Sequence, residues 1–303
     1  MGTRYSAVFF ATAGIDEAAI AAGLFSAVDR VDRQMSSWKP ESNLSRLNRA
    51  PPGSWQAVPQ ELFCVLVAAL QVGQQSRGAF DIGVGDLVDA WGFGASRQQP
   101  DEQQIRQLRQ RSHRPATELL EIDHPRQRVR KRAPITLDLS GIAKGYGVDE
   151  LARCLDGFGI GSYLVGIDGE MRAGNPKPDG RAWAIAIEKP VRGVREVMSV
   201  MEVHDCAIAT SGDYRRWTEF AGEDYAHTMN PLLGQPLRNR LAAVTVLESS
   251  CMLADAWASA LLVLGEDEGV ELAKQRRMDA LFVQHDGVGL RQKSLTQGNC
   301  EPG

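Results

Sequence analysis

At 303 residues, with 43% apolar and 24% charged side chains, the chain can bury a full core and has the make-up of a globular protein. Its net charge of −4, with both signs interspersed, gives no general reason to expect nucleic acid or an anionic membrane as partner. No apolar run reaches the roughly 18 residues a membrane-spanning helix needs. The five cysteines (Cys64, Cys154, Cys206, Cys251, Cys300) lie far apart without a Cys-x-x-Cys pair, which indicates neither a disulfide framework nor a zinc site.

The amino-terminal residues lack the apolar length and cleavage site of a signal peptide. The chain as written is therefore expected in the cytoplasm; one already cut from a leader would read the same and belong to the periplasm. Residues 4–11 read as a first strand. A helix is expected from Asp16 to Gln34, with Ile20, Leu24, Val28, Val31 and Met35 stepping along one face. A polar segment, residues 36–48, runs to the Pro51-Pro52-Gly53 turn, and a second helix spans Pro59 to Ser76. The glycine- and aromatic-rich stretch 78–94 has no periodicity that assigns it. A short helix from Asp101 precedes two strands within 119–131, whose basic run Arg126–Arg132 reads as a solvated hairpin. Cys64, Cys154 and Cys251 fall in apolar helical patterns and are expected as buried free thiols.

The alternation of Ile135, Leu137 and Leu139 predicts a strand. It breaks at Ser140-Gly141, and a helix follows carrying Val148, Leu151, Ala152 and Leu155. A strand that turns into a helix aims several backbone N–H groups at one spot, which suits a phosphate, and Lys144 could add charge. Equally, Gly141 and Gly145 could serve only to permit a tight turn. Beyond Gly157 short strands are predicted at 163–167, 171–173, 183–188, 197–203, 207–209 and 241–247. Helices follow at Met252–Leu264 and Glu266–Gln275, then a last strand at 280–284. Residues 288–303 are polar and expected as a loose tail. Helices mixed with hairpin-like strands, and no linker composition, predict an α+β fold of packed, mostly antiparallel sheets with flanking helices. It would form one compact two-lobed unit over residues 1–287.

Few residues suggest chemistry on their own. Asp255 and Ser259 stand four apart in an apolar helix, so carboxylate and hydroxyl can meet one ion, and two oxygen donors fit Mg²⁺ better than Zn²⁺. The alternative is an acidic residue near a helix start with a serine bonded back to its own helix. His227, in a turn-rich region, could act as acid or base or be an ordinary surface residue. Glu170 could anchor a ligand or be an exposed turn carboxylate. Gly-x-Ser-x-Gly and the Rossmann glycine fingerprint are missing, so serine hydrolase and nicotinamide dehydrogenase are poor readings.

Taken in order, several segments resemble the ApbE-type FAD:protein FMN transferase family. They are Met1-Gly-Thr-Arg-Tyr5, Met35-Ser-Ser-Trp38 with Ser42, Ser45 and Asn48, and Phe80-Asp-Ile-Gly-Val-Gly85 with Trp91-Gly-Phe-Gly94. Asp138-Leu-Ser-Gly-Ile-Ala-Lys-Gly-Tyr146, Gly169-Glu170-Met-Arg172, Ala209-Thr-Ser-Gly-Asp-Tyr-Arg-Arg216, His227-Thr-Met-Asn-Pro231 and Asp255–Ser259 complete the set. The resemblance implies FAD as substrate and Mg²⁺ as cofactor. FMN would pass to a Ser or Thr of an acceptor flavoprotein through a phosphoester, releasing AMP. It implies Asp255, Ser259 and the Ala143 carbonyl as metal ligands, and Ser140 and Lys144 along the flavin and diphosphate. Met35, Trp38, Asp81 and Glu170 would line the dinucleotide pocket, with Thr210, Ser211 and Gly212 on the flavin side and His227 by the reacting phosphate. The sequence departs from that family's usual pattern with Trp38 for Tyr, Asp168 for Gly, Asn230 for Asp and Ser259 for Thr. A Mg²⁺-dependent FAD pyrophosphatase and a flavin carrier without turnover are the competing readings.

Overall fold

The structure is a computed structural model that describes residues 3–12, 14–95, 99–110, 113–287 and 289–297. Met1 and Gly2 of the first resembling segment, and the end of the expected tail, lie outside the described residues. After strand β1 (Tyr5–Phe9) come helices α1 (Glu17–Met35) and α2 (Asn43–Arg49), strand β2 (Trp55–Ala57) and helix α3 (Gln60–Gln75). A 3₁₀ turn at Ile82–Val84 runs into α4 (Gly85–Ala90), followed by α5 (Glu102–Gln110) and α6 (Ala116–Leu119). Strands β3 (Leu120–Asp123) and β4 (Arg128–Lys131) precede α7 (Ala143–Gly157). Then follow β5 (Tyr163–Ile167), β6 (Glu170–Ala173), β7 (Trp183–Glu188), β8 (Val197–Val203) and β9 (Cys206–Gly212). Hairpins β10–β11 (Trp217–Phe220, Glu223–Ala226) and β12–β13 (Met229–Asn230, Gln235–Pro236) lead to β14 (Leu241–Glu248). Helix α8 (Cys251–Gln275) and strands β15 (Asp279–Asp286) and β16 (Gly289–Leu295) close the order.

A seven-stranded sheet, β1-β5-β6-β9-β14-β15-β16, is antiparallel throughout. Because side chains alternate across a strand, each strand feeds two layers. Ala209, Val244, Val246, Ala280 and Phe282 pack under α8, and Tyr163, Val165 and Ile167 pack under α7 and α1. On the other face Ile208, Ala243, Leu281 and Val283 meet Trp183, Ile185, Ile187 and Val203 of the β7–β8 hairpin. The α+β arrangement of antiparallel sheets with flanking helices is as expected from the sequence.

Three local differences have physical causes. Residues 135–139 are extended but join no sheet. Instead the Asn48 amide takes the place of a neighbouring strand, donating to the Leu137 carbonyl and accepting its N–H, both at 2.9 Å. Thr136 and Asp138 bond to Gly85 and Ile82. The polar segment after α1 holds α2, started by Ser42, whose hydroxyl oxygen accepts the Ser45 N–H at 3.0 Å. Residues 289–295, expected to be loose, form β16, a polar strand whose backbone pairs with β15 along its length. Cys251 is buried as expected, but Cys64 is exposed and Cys154 only partly covered.

The two helices predicted around residue 265 are continuous except at Gly265, whose φ of 81° and ψ of −172° break the helical geometry. That conformation is open to glycine and strained for other residues.

Candidate functional site

The turn at Ser140–Ile142 swings the extended segment into α7. Asp138 shapes it: Oδ1 accepts the Ser140 N–H at 2.9 Å and also the Ser140 hydroxyl. Burial raises the Asp138 carboxyl above its ordinary range, partly offset by these two bonds.

Helices α7 and α8 then meet closely. A Cβ on Gly145 would stand 2.2 Å from the Cys251 carbonyl oxygen, so only glycine fits there. The Gly145 N–H, in the first turn of α7, instead donates to Asp255 Oδ2 at 3.0 Å. One turn along α8, Ser259 faces Gly141, where an added Cβ would lie 3.2 Å from its Oγ. Ser259 Oγ also shares a 2.9 Å hydrogen bond with Ser211 Oγ of β9. Gly141, Gly145, Asp255, Ser259 and Ser211 thus come together, with Ala143 on the same first turn of α7. Phe80 backs the group, 3.3 Å from the position of a Gly141 Cβ.

Charge gathers at the same place. Lys144 forms an ion pair with Glu170, which is only 2% exposed and whose Oε2 has no partner. Burial alone would lower the Lys144 pKa, but Glu170 and Asp255 carry it above its usual value. Asp255, 3% exposed, is pushed up to about 7 by burial and by Glu170, against the opposing pull of Lys144 and the Gly145 N–H. Two buried carboxylates thus share one ammonium, and a divalent cation would offset the excess. Among the described residues no cluster of three or more His, Cys, Asp and Glu could hold a metal. What stands together here is one carboxylate and one hydroxyl, Asp255 and Ser259, oxygen donors of the kind that suit Mg²⁺ rather than Zn²⁺.

His227 lies within electrostatic reach of Lys144. Desolvation, with help from Arg216 and Lys144, lowers its pKa to about 4, so the imidazole is neutral near pH 7. Its ring Nδ1 is buried without a partner, its backbone N–H donates to the Arg216 carbonyl at 3.1 Å, and its ring meets Phe93 edge-on at 6.3 Å.

The remaining expected residues have other partners. Thr210 points to the opposite face of the sheet from Ser211 and shares a 2.8 Å hydrogen bond with Thr245. Gly212 leaves room for the Tyr214 ring, 2.7 Å from where its Cβ would be. Asp81 is engaged by the Gly83 and Ala116 N–H groups at 2.8 and 3.0 Å and by His113 Nε2 at 2.6 Å. Met35 is buried in the main core, whereas Trp38 is 53% exposed.

Two departures have a structural account. Asp168 sits at φ 56°, a left-handed turn that glycine adopts freely, and its carboxylate pairs with Arg215 at 3.2 Å. Asn230 Oδ1 accepts the Leu232 and Leu233 N–H groups at 3.0 and 3.1 Å, so here the amide caps a turn. Sequence reasoning missed Asp149, although an acid within the apolar run of α7 was a signal.

The chain belongs to the ApbE family, whose model matches residues 1–282. It is 36% identical over 294 residues to the FAD:protein FMN transferase of Vibrio cholerae, covering 96% of this chain and 87% of that one. To the Escherichia coli K12 protein of the same name it is 30% identical over 263 residues, covering 86% and 75%. Among solved structures, flavin transferase ApbE from Vibrio cholerae superposes with a TM-score of 0.88 at 35% identity, covering 98% of this chain and 95% of that one. The apo flavinyl transferase ApbE of Pseudomonas stutzeri gives 0.83 at 32%, covering 98% and 96%.

Proposed function

We propose that this chain moves FMN from FAD to a Ser or Thr hydroxyl of an acceptor flavoprotein, releasing AMP, with Mg²⁺ as cofactor. The observation that carries the reading is the approach of Asp255 and Ser259 to the Gly141–Gly145 turn, in a chain whose relatives are named for this reaction.

In the reaction the acceptor oxygen bonds to the FMN-side phosphorus as the bond from that phosphorus to the AMP oxygen breaks. Asp255, Ser259 and the Ala143 carbonyl would hold Mg²⁺, which when bound neutralises charge on the diphosphate. The amino-terminal end of α7 favours negative charge, and Lys144 adds a fixed cation next to it. Lys144 is held there by Glu170. Neutral His227 is able to take the proton from the attacking hydroxyl. Ser211 orients the Ser259 hydroxyl. Trp38, exposed and flat, is suited to stack on the adenine.

Co-expression with candidate acceptors, followed by in-gel flavin fluorescence and mass measurement, tests the proposal. An acceptor heavier by one FMN on a Ser or Thr is expected. FMN and AMP formed without acceptor modification would make the chain a pyrophosphatase, and FAD left intact would make it a carrier.

A further inference from the structure

Asp149 lies on α7 one turn beyond Gly145 and is only 3% exposed. Its carboxylate takes four donors. Oδ1 accepts from Arg172 Nη1 at 2.6 Å and from the Cys251 N–H at 3.0 Å. Oδ2 accepts from the Ser250 hydroxyl at 2.9 Å and the Met252 N–H at 3.0 Å. Cys251 and Met252 are the first residues of α8, whose N–H groups find no acceptor within that helix. A carboxylate of one helix therefore caps the start of the next.

That start already has a local cap. Ser250 precedes α8 and its Oγ accepts the Leu253 N–H at 3.4 Å. A second cap brought from 101 residues away in sequence buries a charge, which is a weak way to gain stability. What it does fix is geometry. Gly145 and Asp149 share one face of α7, and Cys251, Asp255 and Ser259 share one face of α8. Anchoring the first turn of α8 at Asp149 brings its second turn to Gly145 and its third to Gly141. Arg172 extends the anchor to β6, the strand that also carries Glu170. The elements bearing Lys144, Glu170, and Asp255 with Ser259 are joined at this one carboxylate.

We propose that Asp149 is a positioning residue for the cation site, setting the register of α8 against α7 and so the spacing of Asp255 and Ser259 from the helix start. The inference rests on the reading that Asp255 and Ser259 hold Mg²⁺.

The test is Mn²⁺ binding to the full chain with FAD present, followed by the electron paramagnetic resonance of the free ion, beside thermal melting. Asp149→Asn cannot accept four donors, and its apparent Mn²⁺ dissociation constant is expected to rise at least tenfold, as for other groups that orient metal ligands. Flavinylation by this variant should recover as Mg²⁺ is raised. Asp149→Glu keeps the charge but moves it by one methylene, and is expected to weaken Mn²⁺ at least threefold. Ser250→Ala, which removes one of the four donors but keeps both N–H bonds to Asp149, should weaken Mn²⁺ less than Asp149→Asn does. A folded Asp149→Asn or Asp149→Glu with wild-type Mn²⁺ affinity would overturn the proposal. Asp255→Ala is measured in parallel. If it binds Mn²⁺ like wild type, the metal reading itself is wrong, whatever the Asp149 variants do.

Discussion

The Gly145 N–H and the Asp255 carboxylate meet at 3.0 Å although 110 residues separate them in sequence. The contact exists because nothing larger than hydrogen fits between Gly145 and the Cys251 carbonyl. Gly145→Ala is therefore expected to force α7 and α8 apart. Overpacking of this kind costs about 1–3 kcal/mol or more. Urea unfolding should show that loss, and flavinylation of an acceptor should fall with it.

Metal binding should be pH-dependent in a direction set by Asp255. Its folded pKa of about 7 lies above its ordinary 3.8. Between those values the folded chain keeps a proton that the unfolded chain has released, so this group's contribution to stability is lost as pH rises from about 4 to about 7. A cation beside the ionised carboxylate reverses the loss. Mg²⁺ with FAD should thus raise the melting temperature more at pH 8 than at pH 6. In Asp255→Asn that difference should disappear.

Lys144 and Glu170 call for a double-mutant cycle. Lys144→Met leaves Glu170 buried and uncompensated, expected to cost about 3 kcal/mol, the lower end for a broken buried pair because Lys144 keeps some solvent contact. Adding Glu170→Met should restore most of the stability measured by urea unfolding. Activity should stay lost in both variants, separating charge at the site from support of the fold.

His227 is expected to work as a neutral base over the whole neutral range. Its pKa of about 4 places the acidic limb of the rate profile near pH 4, well below the 6.5 of an unperturbed histidine. His227→Ala should reduce turnover by about 10²–10⁴-fold. The same shift means that stability falls as pH drops from 6.5 towards 4, since the unfolded chain takes up the proton first. A limb near 6.5 in the rate profile would assign the base to another group.

Much of this was legible in the sequence because local periodicity carried it. Ile20, Leu24, Val28 and Val31 announced α1, and the Asp255–Ser259 spacing put both oxygens on one helical face. The segment at 135–139 misled because its alternation is real, but Asn48 rather than a strand satisfies its backbone. Strand β16 escaped because its stability comes from hydrogen bonds to β15, which an apolar pattern does not reveal. Thr210 and Ser211, neighbours in sequence, separate to opposite faces of β9, a matter of which sheet face the α8 helix covers. Asp149 acts through residues a hundred positions away, and no local signal could name them.

The most direct test of the account is a crystal structure with FAD and Mg²⁺ bound. A cation is expected about 2.1 Å from Asp255, the Ser259 hydroxyl and the Ala143 carbonyl, touching the diphosphate. A cation bound elsewhere, or a diphosphate seated away from the Gly141–Gly145 turn, would contradict it.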